Sequence, residues 1–326
     1  MVDLSTTYMG INLKNPIIAG SCGKTASISD IREIEARGAA AIVLKSLFEE
    51  QILEEVDSYS TEKAAHPEAA DYMTYYVKEN TVGDYLDLIQ NAKKAVSIPV
   101  IASINCVTGK EWVQFAAKVE AAGADGLEIN VFVMPSDSGQ EGRDIEAIYF
   151  DIVDNIKKYI KIPFSLKISY YFSGLANTIV KLSQTGINGL VLFNRFWSPD
   201  IDVDNIEVVS SHVFSKPEEI TLPLRWIGML SGEVNCDLVA STGIHDGRDV
   251  VKTLLAGAKA AAIATTLYEN GIPHIEVMLA QIEQWMKTHH FRSINDFRGR
   301  LSQKSTQGAL MYERAQFMRY FSSHSA

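Results

Sequence analysis

Cysteine is scarce in this 326-residue chain. Cys22, Cys106 and Cys236 are odd in number and far apart, which argues against a disulfide framework and against a Cys-rich metal or iron–sulfur site; they read as reduced thiols, and no metal is expected. No apolar run approaches the length of a bilayer span, so no membrane association is expected. The opening "MVDLSTTYMGINLKNP" has no basic segment followed by an apolar one, so no signal peptide is expected and a cytoplasmic location follows by default. A net charge of −10 with no long basic cluster gives no electrostatic reason to expect nucleic acid as a partner. No "GxGxxG" follows the first apolar run and no P-loop occurs, so any phosphate must be held by local features. Low-complexity tracts and internal linkers are missing too, and a composition of 47% hydrophobic and 21% charged residues is that of a soluble globular protein.

What is present is alternation. Eight short apolar runs, "NPIIAGS", "AAIVLKS", "IPVIASIN", "DGLEINVF", "IPFSLKIS", "NGLVLFN", "DLVASTG" and "AKAAAIATT", are separated by segments with apolar residues at helical spacing, several ended by glycine. Continuous apolar strands alternating with helices indicate a parallel sheet covered by helices. A count of eight predicts an α/β fold, a closed (β/α)8 TIM barrel rather than an open doubly wound sheet. Two connections are long, residues 48 to 80 after strand 2 and 197 to 222 after strand 6, and loops of that length usually carry function or small elements of their own. The expected organisation is a single barrel domain over 1–303 with a C-terminal extension over 304–326.

Several runs end in a polar residue: Lys45 after "AIVL", Asn130 in "LEIN", Lys167 after "PFSL" and Asn194 after "LVLF". In a barrel these positions open onto the C-terminal face, where active sites are built. Each taken alone is also a satisfied polar group at a strand end. Together, two lysines and two asparagines suit a ligand with polar ring edges and an anionic group. "ASTGIHDGRD" and "AIATTLYENG" leave their strands through small residues, so N–H groups at Thr242, Gly243, Ala264 and Thr265 could approach a phosphate, although small residues also serve to pack helices closely on strands. That combination places flavin mononucleotide (FMN) ahead of a dinucleotide.

"LKNPIIAGS", "AAAIVLKS", "LEIN", "PFSLKIS", "FN", "STGIHDGRDVVKTLLAGA" and "AIATTLYENG", in this order over roughly residues 7 to 303, resemble the dihydroorotate dehydrogenase family, in particular its cytosolic class. The resemblance implies FMN over the barrel mouth, a small-molecule substrate, a homodimer, and room for an unidentified electron-transfer partner. Carried onto matching positions, Gly20 and Ser21 line the flavin, with Ser46 grouped beside them, and Lys45 contacts the ring near its reactive edge. Asn130 touches flavin and substrate, Lys167 bonds the ring's carbonyl edge and the ribityl chain, and Asn194 faces the substrate. Ser103 supports the asparagine of the fourth strand, and Thr242, Gly243, Ala264 and Thr265 hold the phosphate. The family usually has glycine at the positions of Thr242 and Ala264; since a backbone donor does not require glycine, that departure reads as mild.

The substrate side departs further. Val133 stands where the family has its catalytic cysteine or serine, Pro135 replaces an asparagine, and Arg195 replaces a small hydroxyl residue. "HPEAADYMTYYV" (66–77) replaces the substrate loop, and "SSHVFSKPEEITLPLRWI" stands where a glycine-rich stretch precedes helix six. The catalytic base is thus unassigned. Weak candidates are Cys106, also readable as a buried apolar residue, and Ser136, with Ser138, His66, Tyr75 and Tyr76 behind them; Tyr72 is grouped with the substrate contacts. Arg195 either clamps a substrate carboxylate or pairs with Glu128 or an acid of the 197–222 loop. His245 reads as a residue at a helix start. The expected activity is FMN-dependent hydride transfer with a small carbonyl or carboxylate compound at a CH–CH group. The alternatives are true dihydroorotate oxidation in pyrimidine biosynthesis with a relocated base, and a flavin-binding or redox-partner module with little turnover. A phosphate-sugar isomerase or aldolase on the same barrel is a further rival.

Overall fold

The computed structural model describes residues 2–48, 82–106, 113–196, 198–306 and 312–313, apart from the side chains at 106, 113 and 114. Strands β1 (Thr6–Tyr8) and β2 (Ile11–Leu13) form a hairpin ahead of the barrel. The barrel begins with β3 (Ile17–Ala19) and β4 (Ala41–Val43), whose detached continuation is β5 (Leu47–Phe48). It proceeds through β6 (Val100–Cys106), β7 (Gly126–Val131), β8 (Phe164–Ile168) and β9 (Gly189–Leu192). A second hairpin, β10 (Pro199–Asp202) and β11 (Glu207–Ser210), precedes β12 (Asp237–Ser241) and β13 (Ala260–Ile263). All barrel pairings are parallel, and β13 pairs with β3, which closes eight strands into a (β/α)8 barrel.

The described helices are α1 (Ile28–Ala36), α2 (Val82–Ala95), α3 (Val113–Ala121), α4 (Gly142–Ile156), α5 (Leu175–Ser183), α6 (Thr221–Leu230), α7 (Gly247–Ala256), α8 (Thr265–Glu269) and α9 (His274–Thr288). Helix α4 shows why they form: Ile145, Tyr149, Ile152, Val153 and Ile156 repeat at helical spacing and all are buried. Helix α7 has sharp ends, with the Asp246 carboxylate accepting from the Asp249 N–H and Gly257 at φ 121° taking the left-handed C-terminal position. Among the described residues no helix is long and apolar enough to cross a membrane. The eight runs and their helices stand where the sequence puts them; the hairpins, β5 and the short α8 are additions. The long loop after strand 2 lies almost wholly outside the described residues, whereas the one after strand 6 holds the β10–β11 hairpin.

Alternation along the strands separates two cores. One face packs against the helices; the other fills the lumen with Ile18, Val43, Ile101, Val191 and Val239. The first hairpin plugs the N-terminal end of that lumen, burying Tyr8, Met9 and Leu13. Its turn puts Met9 at φ 53° and Gly10 at φ 77°, the paired left-handed geometry of a tight hairpin. The Met9 N–H donates to Asp237 Oδ2 (2.9 Å), and Thr6 Oγ1 donates to the Lys259 carbonyl (3.0 Å). With the bottom closed, the lumen of the described residues opens at its C-terminal end.

The second strand is interrupted. β4 pairs with β6 up to Val43 and Ile101, and pairing resumes as β5 at Leu47 and Ile104. The intervening residues leave the ladder, so the backbone of Ser103 on β6 loses its strand partner. Tyr85 of α2 replaces it: its hydroxyl donates to the Ser103 carbonyl (2.9 Å) and accepts from the Ser103 N–H (2.7 Å). Since Tyr85 is 4% exposed, no solvent substitutes for it. Tyr85→Phe should therefore leave two buried backbone groups unsatisfied and lower the unfolding free energy by about 1–3 kcal/mol. Urea unfolding followed by circular dichroism tests this, and an unchanged midpoint would show that the hydroxyl is not the missing strand partner.

Candidate functional site

The open end holds a cavity of about 360 Å³. All four strand-end residues, Lys45, Asn130, Lys167 and Asn194, line it. Ser21 and Ser46 join them from the first two strand ends, and Thr242, Gly243, Ala264 and Thr265 from the last two. Gly20 lies at the seam where the barrel closes: its N–H donates to the Ile263 carbonyl (2.8 Å), and a Cβ there would stand 3.3 Å from the same oxygen. Ser103 is fully buried beneath the cavity rather than in its wall. It ends a chain of hydroxyls, with Ser21 Oγ 3.0 Å from Ser46 Oγ and Ser46 Oγ 2.8 Å from Ser103 Oγ.

Strand register sets the level of these groups. Asn105, Asn130 and Lys167 are aligned across β6, β7 and β8, and one step lower come Ser103, Glu128 and Ser165. Glu128 is 3% exposed; burial pushes its carboxyl pKa up, and the Lys167 charge pulls the other way. Asn130 Oδ1 and Asn194 Nδ2 are buried, and among the described residues neither has a hydrogen-bond partner. Buried polar atoms are normally paired. One unpaired acceptor and one unpaired donor, on two side chains that line the same cavity, suit the edges of a flat heterocycle such as the flavin ring. Among the described residues no group of three or more His, Cys, Asp or Glu side chains is placed to hold a metal ion.

The loops after β12 and β13 depart from expectation at one position. Thr242 adopts φ 81°, the left-handed region that suits glycine and is unfavourable for a β-branched side chain. Its replacement of glycine is therefore not mild: such a backbone costs on the order of 1–3 kcal/mol, offset in part by the bond from Thr242 Oγ1 to the Phe193 carbonyl (3.3 Å). Ala264, at φ −137°, carries no such cost. Gly243, at φ 72°, is pressed against the start of α6, and a Cβ would collide with the Ile220 amide.

The substrate-side candidates do not converge. Val133 is half-buried against the main core, Pro135 and Ser136 are exposed, and Ser138 is exposed as well. The side chain of Cys106 and the whole of His66, Tyr72, Tyr75 and Tyr76 lie outside the described residues. Arg195 lines the cavity, but its guanidinium is engaged within the protein. Nε and Nη2 donate to Glu219 (2.8 and 3.4 Å), and Nη1 donates to the carbonyls of His212 and Val213 (3.0 and 3.1 Å). Its partner is thus an acid of the 197–222 loop and not Glu128. Sequence reading missed Asn105, although it ends the third run as Asn130 ends the fourth. It also missed Cys22 and Tyr268, which line the cavity together. Burial raises the Cys22 thiol pKa; burial and then the neighbouring Cys22 push the Tyr268 phenol up to about 12.

A family model described as dihydroorotate dehydrogenase matches residues 70–286. The chain is 28% identical over 311 residues to a Thermoplasma volcanium protein named dihydroorotate dehydrogenase B (NAD(+)), catalytic subunit, an alignment covering 92% of this chain and 98% of that protein. A Thermoplasma acidophilum protein of the same name is 28% identical over 312 residues, covering 92% and 99%. An Aeropyrum pernix protein named putative dihydroorotate dehydrogenase A (fumarate) is 26% identical over 311 residues, covering 91% and 97%.

The Arg195 fork makes the rim sensitive to acid. Burial raises the Glu219 carboxyl pKa, but hydrogen bonds from Arg195 and the Lys216 N–H, together with the Arg195 charge, outweigh it and hold the group below its usual 4.5. A carboxyl depressed in the folded state contributes stability above its unfolded pKa and loses it as pH falls through the folded value. Wild-type unfolding free energy should therefore decline between about pH 5 and pH 3. Glu219→Gln should be less stable at neutral pH and decline less over that window. Parallel wild-type and variant curves in urea titrations would show that the pair does not couple to folding.

Proposed function

This chain belongs to the dihydroorotate dehydrogenase family and is an oxidoreductase of that type, and from this premise we propose that it holds FMN at the mouth of its barrel and acts on a small carbonyl or carboxylate compound at a CH–CH bond. The observation that carries the proposal is the pair of buried, unpartnered amide atoms, Asn130 Oδ1 and Asn194 Nδ2, on the same cavity as Lys167. When bound, FMN supplies the two-electron hydride chemistry.

The chain's own residues bind and orient. Lys45 and Lys167 bring cationic donors to the ring, and Lys167 also reaches the ribityl chain. Asn130 and Asn194 offer their free amide atoms to the ring edge and the substrate. Ser21 and Ser46 line the ring with Gly20 at the barrel seam beside them, Ser103 steadies Ser46 from below (2.8 Å), and Thr242, Gly243, Ala264 and Thr265 bound the phosphate end. Arg195 serves the substrate side by fixing the rim loop through Glu219, and Tyr72, outside the described residues, is assigned to the substrate as well. Val133 holds no proton, so the acid or base is supplied elsewhere. Residues 1–303 act as one FMN-binding domain, in a cytoplasmic homodimer. The two Thermoplasma relatives are named as catalytic subunits, which supports association with an electron-transfer partner.

A second reading is dihydroorotate oxidation itself, in pyrimidine biosynthesis. The alignment over 92% of the chain with proteins so named favours it; the apolar residue at Val133 opposes it.

The protein should purify yellow, with one FMN per chain, and a colourless protein that also fails to take up added FMN would sink the proposal. Lys167→Ala should weaken FMN binding more than Lys45→Ala, because Lys167 serves ring and ribityl chain and also balances the buried Glu128. One charge-assisted hydrogen bond is worth about 1.5–3 kcal/mol, enough to separate the two variants by flavin titration. Negligible, equal losses would mean that neither lysine faces the flavin.

Dihydroorotate should reduce the flavin slowly or not at all, and Val133→Cys alone should not make an efficient dehydrogenase. A positioned base contributes about 10²–10⁴ in rate, but only within hydrogen-bond reach of a correctly held substrate. Anaerobic stopped-flow mixing decides this. Rapid bleaching of the wild type would establish the second reading, and rapid bleaching of the variant alone would show an intact orotate pocket.

A further inference from the structure

The segment between β11 and α6 brings Ser215 into the cavity wall, although only 6% of the residue is exposed. Its hydroxyl is a meeting point. Ser215 Oγ lies 3.0 Å from Thr265 Oγ1, 3.4 Å from the Gly243 nitrogen and 3.5 Å from His245 Nε2. Behind it, His245 Nδ1 stands 3.3 Å from Glu269 Oε2. The histidine is held on three sides: its N–H donates to Asp249 Oδ2 (3.0 Å), and its carbonyl accepts from Thr266 Oγ1 (3.1 Å) and faces His274 Nε2 (3.0 Å). Glu269 faces the Nδ1 end of the ring, which leaves the Nε2 end towards the serine.

The contacts from Gly243 and His245 exceed the usual 2.7–3.2 Å range, so a neutral hydroxyl does not draw these groups in. An anionic oxygen in the cavity would do so. The Ser215 proton would turn from Thr265 to that oxygen, and the freed lone pairs of Ser215 would accept from the Gly243 N–H and from the Nε2–H of a ring that takes up a second proton with the anion, its Nδ1–H facing the Glu269 carboxylate. Charge-assisted bonds of this kind are shorter and roughly twice as strong as neutral ones.

We propose that Glu269, His245 and Ser215 form an anion-binding relay, in which the Ser215 hydroxyl, backed by the imidazole, donates to the phosphate-monoester oxygen of the ligand and makes the site select the phosphorylated flavin over its phosphate-free form. The identity of the ligand rests on the FMN reading; the anion preference rests on the cluster. Carboxylate, imidazole and hydroxyl also occur in this order in nucleophilic triads, but here the hydroxyl proton is engaged with Thr265 and points away from the imidazole.

Fluorescence titration of the full-length protein with FMN and with riboflavin tests the relay. Ser215→Ala and His245→Ala should each weaken FMN by about tenfold to a hundredfold, the loss of one charge-assisted bond, and leave riboflavin affinity unchanged. Glu269→Gln, at a half-exposed position that does not threaten the fold, should weaken FMN in the same direction by less. Equal losses for both flavins, or none for FMN, would overturn the assignment. If the wild type binds neither flavin, the FMN reading fails and inorganic phosphate becomes the probe. A phosphorus NMR line broadened by wild type and not by Ser215→Ala sustains the relay; no broadening overturns it. Covalent labelling of Ser215 by a fluorophosphonate would make it a nucleophile and also overturn it.

Discussion

A closed barrel has no spare hydrogen-bonding edge, so wherever one strand leaves the ladder another group must bond to its neighbour. Here the second strand leaves after Val43 and returns at Leu47, and the Tyr85 hydroxyl bridges the gap it leaves on β6. The detour is what the site is made from. Leu44 stays buried and bonded to Ile101, which anchors the excursion, while Lys45 and Ser46 are carried into the cavity wall. The Ser46 N–H then finds Ser21 Oγ (2.9 Å), tying the first strand end to the second.

Polarity rises in steps along the barrel axis from this constraint. The plugged end is apolar. Above it, Ser103, Glu128 and Ser165 form a buried layer, and above that Asn105, Asn130 and Lys167 face the opening. Burial makes a charged Glu128 costly, and the Lys167 ammonium one level higher supplies the opposing field. The cation, not the acid, is therefore the group presented to a ligand. A chain of net charge −10 thus offers an anion a local attraction opposite in sign to its overall field.

What the sequence reveals of this follows from which features are local. A lysine or asparagine at the end of an apolar run marks a strand end by position alone, and Lys45, Asn130, Lys167 and Asn194 were legible for that reason. Asn105 carries the same mark, and its place at the end of "IPVIASIN" is a signal of the same kind. The plug was invisible because strands of three residues leave no periodicity to detect. The backbone angle of Thr242 depends on how β12 turns into its loop, which residue identity does not report. Arg195 had several acids within reach in sequence, and only the folded path of the 197–222 loop selects Glu219. Ser215 lies in that same loop, where neither spacing nor composition separates it from its neighbours.

The two sides of the cavity are held by different forces. One side consists of strand-end groups fixed by the barrel ladder. The rim opposite consists of loop residues clasped by aromatic rings: Phe132 stacks on Phe196 with centroids 4.3 Å apart, Tyr171 meets Phe196 edge-on at 5.1 Å, and Tyr170 meets Phe193 at 5.9 Å. Such pairs contribute about 0.5–1.5 kcal/mol each beyond their buried area, and together they join the loops after β7, β8 and β9. The Arg195 fork extends the clasp to the start of α6, and Phe214 on Tyr268 (5.3 Å) extends it to α8. Val133 packs against the core within this clasp. Its apolar side chain is therefore one part of a rim that packs as a unit. Among the described residues these clasping contacts are between side chains and not part of the barrel ladder, so the loops can be exchanged without moving Asn130, Lys167 or Asn194. The strand-end groups keep their places while the chemistry over them changes.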